Sequence, residues 1–427
     1  MSFYFPPAGG GGVQRVLKLC RHLPELGIDV DVLAPDDPKW SAVDPGLAAD
    51  IPPATTVHRA RYRGPSHAQT PAARLAAVHG TRAIGVRAAL LGRRVLLPDP
   101  EIAWLPDAVR TGVRVVRERQ IDVVLSTSPP NSVHVIAAAI ARRAGVPFVA
   151  DFRDSWLANP HRRYERRSVR AKRAVEGRIA RAALKRVAAV SAVTPSIAEE
   201  AAELAPAGTP VRVVANGCDF EEFDGLEYAR GERLRIVHAG SFFGQRTPRP
   251  FLSAFAAVLG AHPELRERVQ VAFLGELRPA DREWALGLGL GEALALEGFR
   301  PHAEALAAMR AADVLLLLVP RAGGRGLLVV SGKVFEYLAA ERPVIALVPP
   351  EGDAAALLRD TGSAWIADPD DEDAIAAAIR EAVAAWEADR LGERRLTPAW
   401  RERLDRRTRA RELAELLESV RPGRSPA

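Results

Sequence analysis

The residues best suited to chemistry lie in Gly326 to Leu347, GLLVVSGKVFEYLAAERPVIAL. A short apolar run ends at Ser331-Gly332, and a helical pattern then carries Lys333 and Glu336. Arg342-Pro343 stops it before a predicted strand, Val344–Leu347. A loop feeding a helix start presents unpaired backbone N–H groups and the positive end of the helix dipole, a setting that suits a phosphate. Glu336, near the start of that helix, can accept hydrogen bonds from sugar hydroxyls. Loop and carboxylate together point to a nucleotide-sugar site; an ordinary buried helix with one solvated Glu would explain the same residues without a ligand. The stretch is not an NTP-binding loop, which needs Gly, four residues and then Gly-Lys-Ser/Thr. Counting back from Gly332 finds Leu327, and Val334 follows Lys333.

A second glycine-rich turn, Gly9 to Gly12, separates the apolar run MSFYF and Pro6-Pro7 from a helical pattern over Val13 to Leu26. Glycine there lets backbone approach a ligand closely, although a flexible turn needs glycine too. The dinucleotide fingerprint is not met, because Gln14 stands where its last Gly would be. The run PFVADFRD puts Asp151, Arg153 and Asp154 at the C-terminal end of a predicted strand, where open parallel sheets bind ligands. His134 and His238 each read as structural when taken singly. Asp29-Val30-Asp31 has the spacing of a metal-binding carboxylate pair, but nothing around it supplies further ligands, so no metal is assigned. Asp368 to Asp373 is an acidic cluster at a helix start, which complements the dipole. No GxSxG elbow, HExxH or Cys/His cluster occurs.

These residues need elements to hold them. MSFYF, a helix and IDVDVLAP open a strand–loop–helix–strand series, which continues through predicted strands at Ile121–Ser126, PFVADFRD, Ala188–Val193 and 211–219. Residues 226–233 read as a linker. A second series follows, with strands at 235–240, 269–275, 294–299, 313–320, 343–348 and 364–367 and helices between them. Two such series predict an α/β chain of two doubly wound, Rossmann-like domains facing a cleft. The first spans 1–222 and is completed by a C-terminal helix within 398–427; the second spans 230–395. Residues 36–110 are less regular, and Ala72–Leu97 reads as one or two amphipathic helices, either plain surface helices or a face for a membrane or acceptor lipid.

The totals set limits. A chain of 427 residues has room for two or three domains. Two distant cysteines, Cys20 and Cys218, fit a reducing cytoplasm. No apolar run reaches the roughly 18 residues of a membrane span, and no signal peptide is read. A net charge of +6 favours an anionic partner. His161–Arg186 holds eleven Lys/Arg against two Glu, which is either a solvated helix face or a docking surface for anionic lipid at the inner face of a membrane. Interleaved aromatics are missing, so nucleic acid is not expected.

Seven collinear segments resemble retaining glycosyltransferases of the GT-B fold, family 4. They are FPPAGGGGVQR, PFVADFRDSW, VTPSIAEEA, ANGCD, HAGSFFGQRTP, LEGFRPHAEALAAMRAADVLL and SGKVFEYLAAERPVIAL. The resemblance implies transfer of a sugar from a nucleotide-diphosphate sugar to an acceptor hydroxyl, in cell-surface glycan or glycolipid synthesis, without an obligate metal or other cofactor. The first domain is then the acceptor side and the second the donor side. Gly11 and Gly12 match the loop that approaches the donor diphosphate, followed by Gln14. Arg246 matches a basic residue on the diphosphate, Ser331 and Lys333 the phosphate-facing turn, Glu336 the carboxylate on the ribose, and Phe299 and Arg300 the nucleobase segment. Arg246 and Lys333 would take the charge left on the diphosphate, while Asp154 or His134 would position the acceptor. The chain departs from the family pattern at Leu328, where members carry a Glu contacting the sugar, at Ser241 in place of Arg, and at Arg153-Asp154 in place of His. A non-catalytic nucleotide-sugar binder and a sugar-nucleotide 2-epimerase remain alternatives at this point.

Overall fold

Near-continuous apolar runs bounded by Gly or Pro form buried parallel strands here, as sheets covered on both faces require. The structure, a computed structural model, describes residues 1–9, 11–40, 43–67, 96–158, 167–242 and 244–423. The chain divides into two compact units, Met1–Ala215 with Arg409–Ala427, and Asn216–Thr408. The first unit thus ends before residue 222 and regains the chain after residue 398.

In the first unit, helix α1 (Gly11–Glu25) precedes strand β1 (Asp31–Pro35), the short helix α2 (Pro45–Ala49) and strand β2 (Thr56–Ala60). Helix α3 (Leu105–Glu118), β3 (Val124–Ser128), α4 (Ser132–Ala144), β4 (Phe148–Phe152), α5 (Arg167–Leu184), β5 (Ala189–Ala192), α6 (Pro195–Leu204) and β6 (Val211–Val213) follow. Strands β3 to β6 form a parallel sheet in chain order, and β1 pairs with β2. The expected strand at MSFYF is reduced to one bridge, Ser2 to Thr127. Phe3 and Phe5 are buried in the core and Pro6-Pro7 offers no N–H, so ladder pairing stops there. The glycine turn is also shorter than expected, because Gly11 and Gly12 already belong to the first turn of α1.

The second unit holds β7 (Leu234–Ala239), α7 (Arg249–Ala261), β8 (Val269–Leu274), α8 (Pro279–Gly287), β9 (Leu294–Gly298), α9 (His302–Ala311) and β10 (Val314–Leu318). Then come α10 (Gly332–Ala339), β11 (Val344–Leu347), α11 (Asp353–Thr361), β12 (Ala364–Ala367), α12 (Glu372–Glu387) and α13 (Pro398–Leu404). The sheet order is β12-β11-β10-β7-β8-β9, all parallel. The first strand of the series, β7, therefore lies between β8 and β10, and the chain winds outward both ways. That reversal between β7 and β10 is the switch point beyond whose carboxyl ends such sheets bind ligands.

The terminal stretch, expected as one helix, is two: α13 ends at Leu404 and α14 spans Arg406–Ser419. Asp405 between them is extended, at φ −58° and ψ 134°. The break is used for pairing, with Cys218 N donating to Leu404 O at 2.7 Å and Arg406 N donating to Cys218 O at 3.2 Å. From Arg409 the chain belongs to the first unit, where Leu413, Leu416 and Leu417 pack on Val149, Ala189 and Val214. The amphipathic pattern expected at Ala72–Leu97 lies outside the described residues but for its last two positions, and the basic stretch is described from Arg167. No helix among the described residues is long and apolar enough to cross a membrane.

Candidate functional site

The switch point of the second unit gathers Arg246, Lys333, Glu336 and Ser331. Strand β7 ends at Ala239, and the next residue, Gly240, has a φ of +137° that few other residues adopt. A Cβ there would lie 2.2 Å from both Nζ and Cε of Lys333, so only glycine lets that side chain lie across the strand end. Gly275, after β8, would likewise drive a Cβ to 2.4 Å from the Gly240 carbonyl carbon. Lys333 itself comes from the first turn of α10, which Ser331 precedes in extended conformation. The Ser331 hydroxyl is buried without a hydrogen-bond partner among the described residues. Helix α10 is tied back to the sheet by the Tyr337 hydroxyl, which accepts from Ala239 N at 3.0 Å.

Arg246 sits on the loop between β7 and α7. Arg278 steadies that loop, donating to the carbonyls of Gly244 at 3.2 Å and Arg246 at 3.0 Å. A cavity of about 320 Å³ opens beside it, lined by Arg246, Thr247, Leu318, Pro320, Gly323 and Asp370 among others. Burial lowers the pKa of Arg246 from its usual value. Burial likewise lowers that of Lys333; the nearby Glu336 opposes the shift and the Arg246 charge adds to it. Two cations are therefore held within electrostatic reach of each other, partly out of water, next to a helix start. An anionic ligand with two or more charges would relieve both. Phe299, 73 % exposed, follows β9, and Arg300 beside it pairs with Glu297 and Glu304, each at 3.6 Å.

The first unit treats its candidates differently. Gly12 is exposed, and its carbonyl accepts from the Arg153 guanidinium. Arg153 also donates to Ser128 O at 2.6 Å and Pro129 O at 3.3 Å, which ties the first turn of α1 and the loop after β3 to the end of β4. Gln14 is half-buried in α1. Asp154 is exposed, two residues past the end of β4. His134 is not: it is fully buried, with Nδ1 2.7 Å from Ser126 Oγ and its ring stacked on Phe152 at 4.5 Å. Burial pushes its pKa down to about 3. A neutral, enclosed imidazole cannot reach an acceptor, so the positioning role considered for His134 falls away.

Asp151, at the end of the same strand, also faces inward. Its carboxylate accepts from Arg15 Nη2 at 2.8 Å, Arg15 Nε at 3.1 Å, Thr127 Oγ1 at 2.7 Å and Ser191 Oγ at 2.7 Å. Arg15 had no expected role. The signal was an acid inside the otherwise apolar FVADF, which demands a buried partner without saying where the partner lies. Asp31 of the Asp29-Val30-Asp31 pair is engaged by His58 at 2.6 Å and Arg119 at 3.2 Å.

Comparison with known proteins bears on this arrangement. The family model described as Glycosyltransferase Family 4 matches residues 9–222, and that described as Glycosyl transferases group 1 matches residues 233–385. No curated protein matches by sequence. Among solved structures, the fold is similar to that of Anabaena HepE, with 14 % identity and a TM-score of 0.65 over 98 % of this chain and 99 % of that one. It is similar to a Burkholderia xenovorans α,α-trehalose-phosphate synthase at 15 % identity and a TM-score of 0.64, covering 98 % and 99 %. Sucrose-phosphate synthase from Thermosynechococcus elongatus gives 16 % identity and 0.60, covering 97 % and 94 %.

Proposed function

This chain belongs to glycosyltransferase family 4 and is a glycosyltransferase, and from that premise we propose that it takes its sugar from a nucleotide-diphosphate sugar and delivers it to an acceptor hydroxyl with retention of configuration. The observation that carries the reading is the convergence of Arg246 and Lys333 at the switch point of the second unit, beside the start of α10. Breaking the anomeric C–O bond leaves negative charge on the diphosphate, and two fixed cations with helix N–H groups stabilise that charge as it forms. In this reading no metal ion is needed for that task. Glu336 and Ser331 flank Lys333 and suit ribose and phosphate; the exposed ring of Phe299 suits a base, with Arg300 beside it. In the first unit, Gly11, Gly12 and Gln14 offer backbone approach to a ligand, and Asp154 positions the acceptor hydroxyl.

The HepE structure was solved with UDP and with UDP-glucose, so uridine donors head the screen. A nucleotide sugar that fits is expected to raise the melting temperature, since a ligand at a hundredfold its Kd adds about 2.7 kcal/mol. With an acceptor present, the transferred sugar should keep its anomeric configuration by NMR, and turnover should persist in a chelator. No shift with any UDP-, GDP- or ADP-sugar would remove the donor class, and an inverted product would remove retention.

The acceptor we propose is lipid-linked, in cell-surface glycan or glycolipid synthesis. Support comes from α5, where Arg170, Arg178 and Arg181 are exposed along one face, and from exposed Lys185 just past its end. Basic residues near an anionic bilayer contribute about 1 kcal/mol each. Sedimentation with vesicles containing anionic lipid should fall on the fourfold change of these residues to Gln. Equal sedimentation of variant and parent would count against this surface.

A further inference from the structure

Phe3 anchors a cluster of rings in the first unit. Tyr4, Trp40 and Tyr62 meet it edge-on, with ring centres 5.5, 5.5 and 5.3 Å away, and Trp104 does so at 5.8 Å. Part of the cluster is ordinary core. Phe3 and Trp104 are fully buried. Trp104 Nε1 donates to Ala60 O at 3.1 Å, and the Tyr62 hydroxyl donates to Pro65 O at 3.2 Å. Tyr4 and Trp40, the latter on the loop after β1, differ. Both are half-buried, with ring centres 5.5 Å apart and planes inclined at 44°. Neither the Tyr4 hydroxyl nor the Trp40 indole N–H has a hydrogen-bond partner among the described residues. Packed Tyr and Trp usually find a partner for that group, as their neighbours in this cluster do.

Their place points to the acceptor. A Cβ on Gly12 would lie 3.9 Å from Tyr4 Cβ, so Tyr4 lies against the first turn of α1. Burial, then the carboxylates of Glu101 and Asp99, push the Tyr4 pKa up to about 12, with Arg153 opposing and Asp154 adding to the shift. The hydroxyl therefore keeps its proton at neutral pH and can both donate and accept. Asp154 is near enough to be felt at that hydroxyl. A pyranose ring has an apolar C–H face and a rim of hydroxyls, which matches two ring faces with unpaired polar edges. A hydrocarbon tail would leave those edges unmet. An anionic group would face Glu101, Asp99 and Asp154.

We propose that Tyr4 and Trp40 form an acceptor subsite in which an uncharged pyranose ring stacks on their open faces and bonds to the Tyr4 hydroxyl beside Asp154. The inference rests on the reading of the first unit as the acceptor side, and it names the part of the acceptor that is held there: a sugar head, not the lipid.

The full chain is titrated with the methyl α-glycosides of glucose, mannose and galactose while the indole N–H resonances are followed. The chain has seven Trp, and the Trp40 signal is the one lost in Trp40→Phe. At least one of these neutral sugars should move that signal, and its 6-carboxylate analogue should bind more weakly. Tyr4→Phe keeps the ring and removes a hydroxyl that bonds to no described residue, so its melting temperature should match the parent's. Its Kd for the same sugar, read from the Trp40 signal, should rise about fivefold, the worth of one hydrogen bond. A role confined to packing would leave that Kd unchanged. A Trp40 signal unmoved by all three sugars, a 6-carboxylate that binds as tightly as its neutral parent, or an unchanged Kd in Tyr4→Phe overturns the proposal. If Asp154→Asn keeps parental turnover while the sugar still moves the Trp40 signal, the positioning role of Asp154 fails and the subsite stands.

Discussion

Arg246→Ala is expected to lower kcat by about 10²–10³, with little change in the melting temperature. The size follows from where the charge appears. On the proposed reading the bound diphosphate already carries charge, which water, Lys333 and backbone N–H groups would share. As the glycosyl bond breaks, one more negative charge develops at the leaving oxygen. A cation held in a partly buried site at that point needs no reorganisation to meet it, so its contribution is larger in the transition state than in the ground state. The guanidinium is suited to this, being half-buried on a loop that Arg278 grips by two carbonyls. Arg246→Lys should recover only part of the loss, because a single ammonium cannot reproduce a planar fork on two phosphate oxygens. Single-turnover rates of wild type and variant, each at saturating donor, are the measurement. A variant within threefold of the parent would take Arg246 out of the chemistry and leave it a loop residue.

How far the sequence led can be judged from particular elements. Strand β10 is VLLLL, buried at every position, and its apolar run was visible without any partner. Strand β2, TVHRA, buries only its last residue well, so it has no run and was lost in the irregular region 36–110. The C-terminal pattern kept its leucine spacing through Asp405, and only the pairing of Cys218 with the residues around it shows why the helix breaks. For the candidate site, the residue types around Ser331 to Glu336 suggested phosphate and sugar, with an ordinary buried helix as the other reading. What they could not announce was Gly240 beneath Lys333, because that contact depends on two strand ends being neighbours across the switch point. His134 and His238 have the same burial and the same lowered pKa, yet only one lies near the cations. Sequence distance carried no trace of that difference.

The largest expected loss of stability comes from Asp151→Ala. This carboxylate was read as a polar group at a strand end, open to ligand; the structure buries it completely against Arg15. Burial alone would push its pKa up, but the Arg15 charge, then hydrogen bonds from Arg15, Ser191 and Thr127, outweigh that and hold it below the usual carboxylate range. Removing it strands a buried guanidinium and two hydroxyls. Arg15 would keep its bonds to the carbonyls of Val214 and Ala215, at 3.0 and 3.1 Å, but would lose the carboxylate that balances its charge. Breaking a buried pair from one side costs about 3–5 kcal/mol. For a unit of this size each kcal/mol is about 2–4 °C, so the melting transition of the first unit should fall by roughly 6–20 °C. Replacing both partners, Arg15→Met with Asp151→Leu, should recover most of this, since the pair's own attraction barely exceeds its desolvation. The pH dependence carries a sign: a carboxylate held low in the folded state adds stability above its ordinary pKa of about 4, and that stability is lost as pH falls through the folded value. Wild type should therefore lose stability on acidification more steeply than the double variant. Urea midpoints at neutral and acid pH test both halves. A single variant within 1 kcal/mol of the parent would mean that water reaches Arg15 and that the pair is far less enclosed than its geometry indicates.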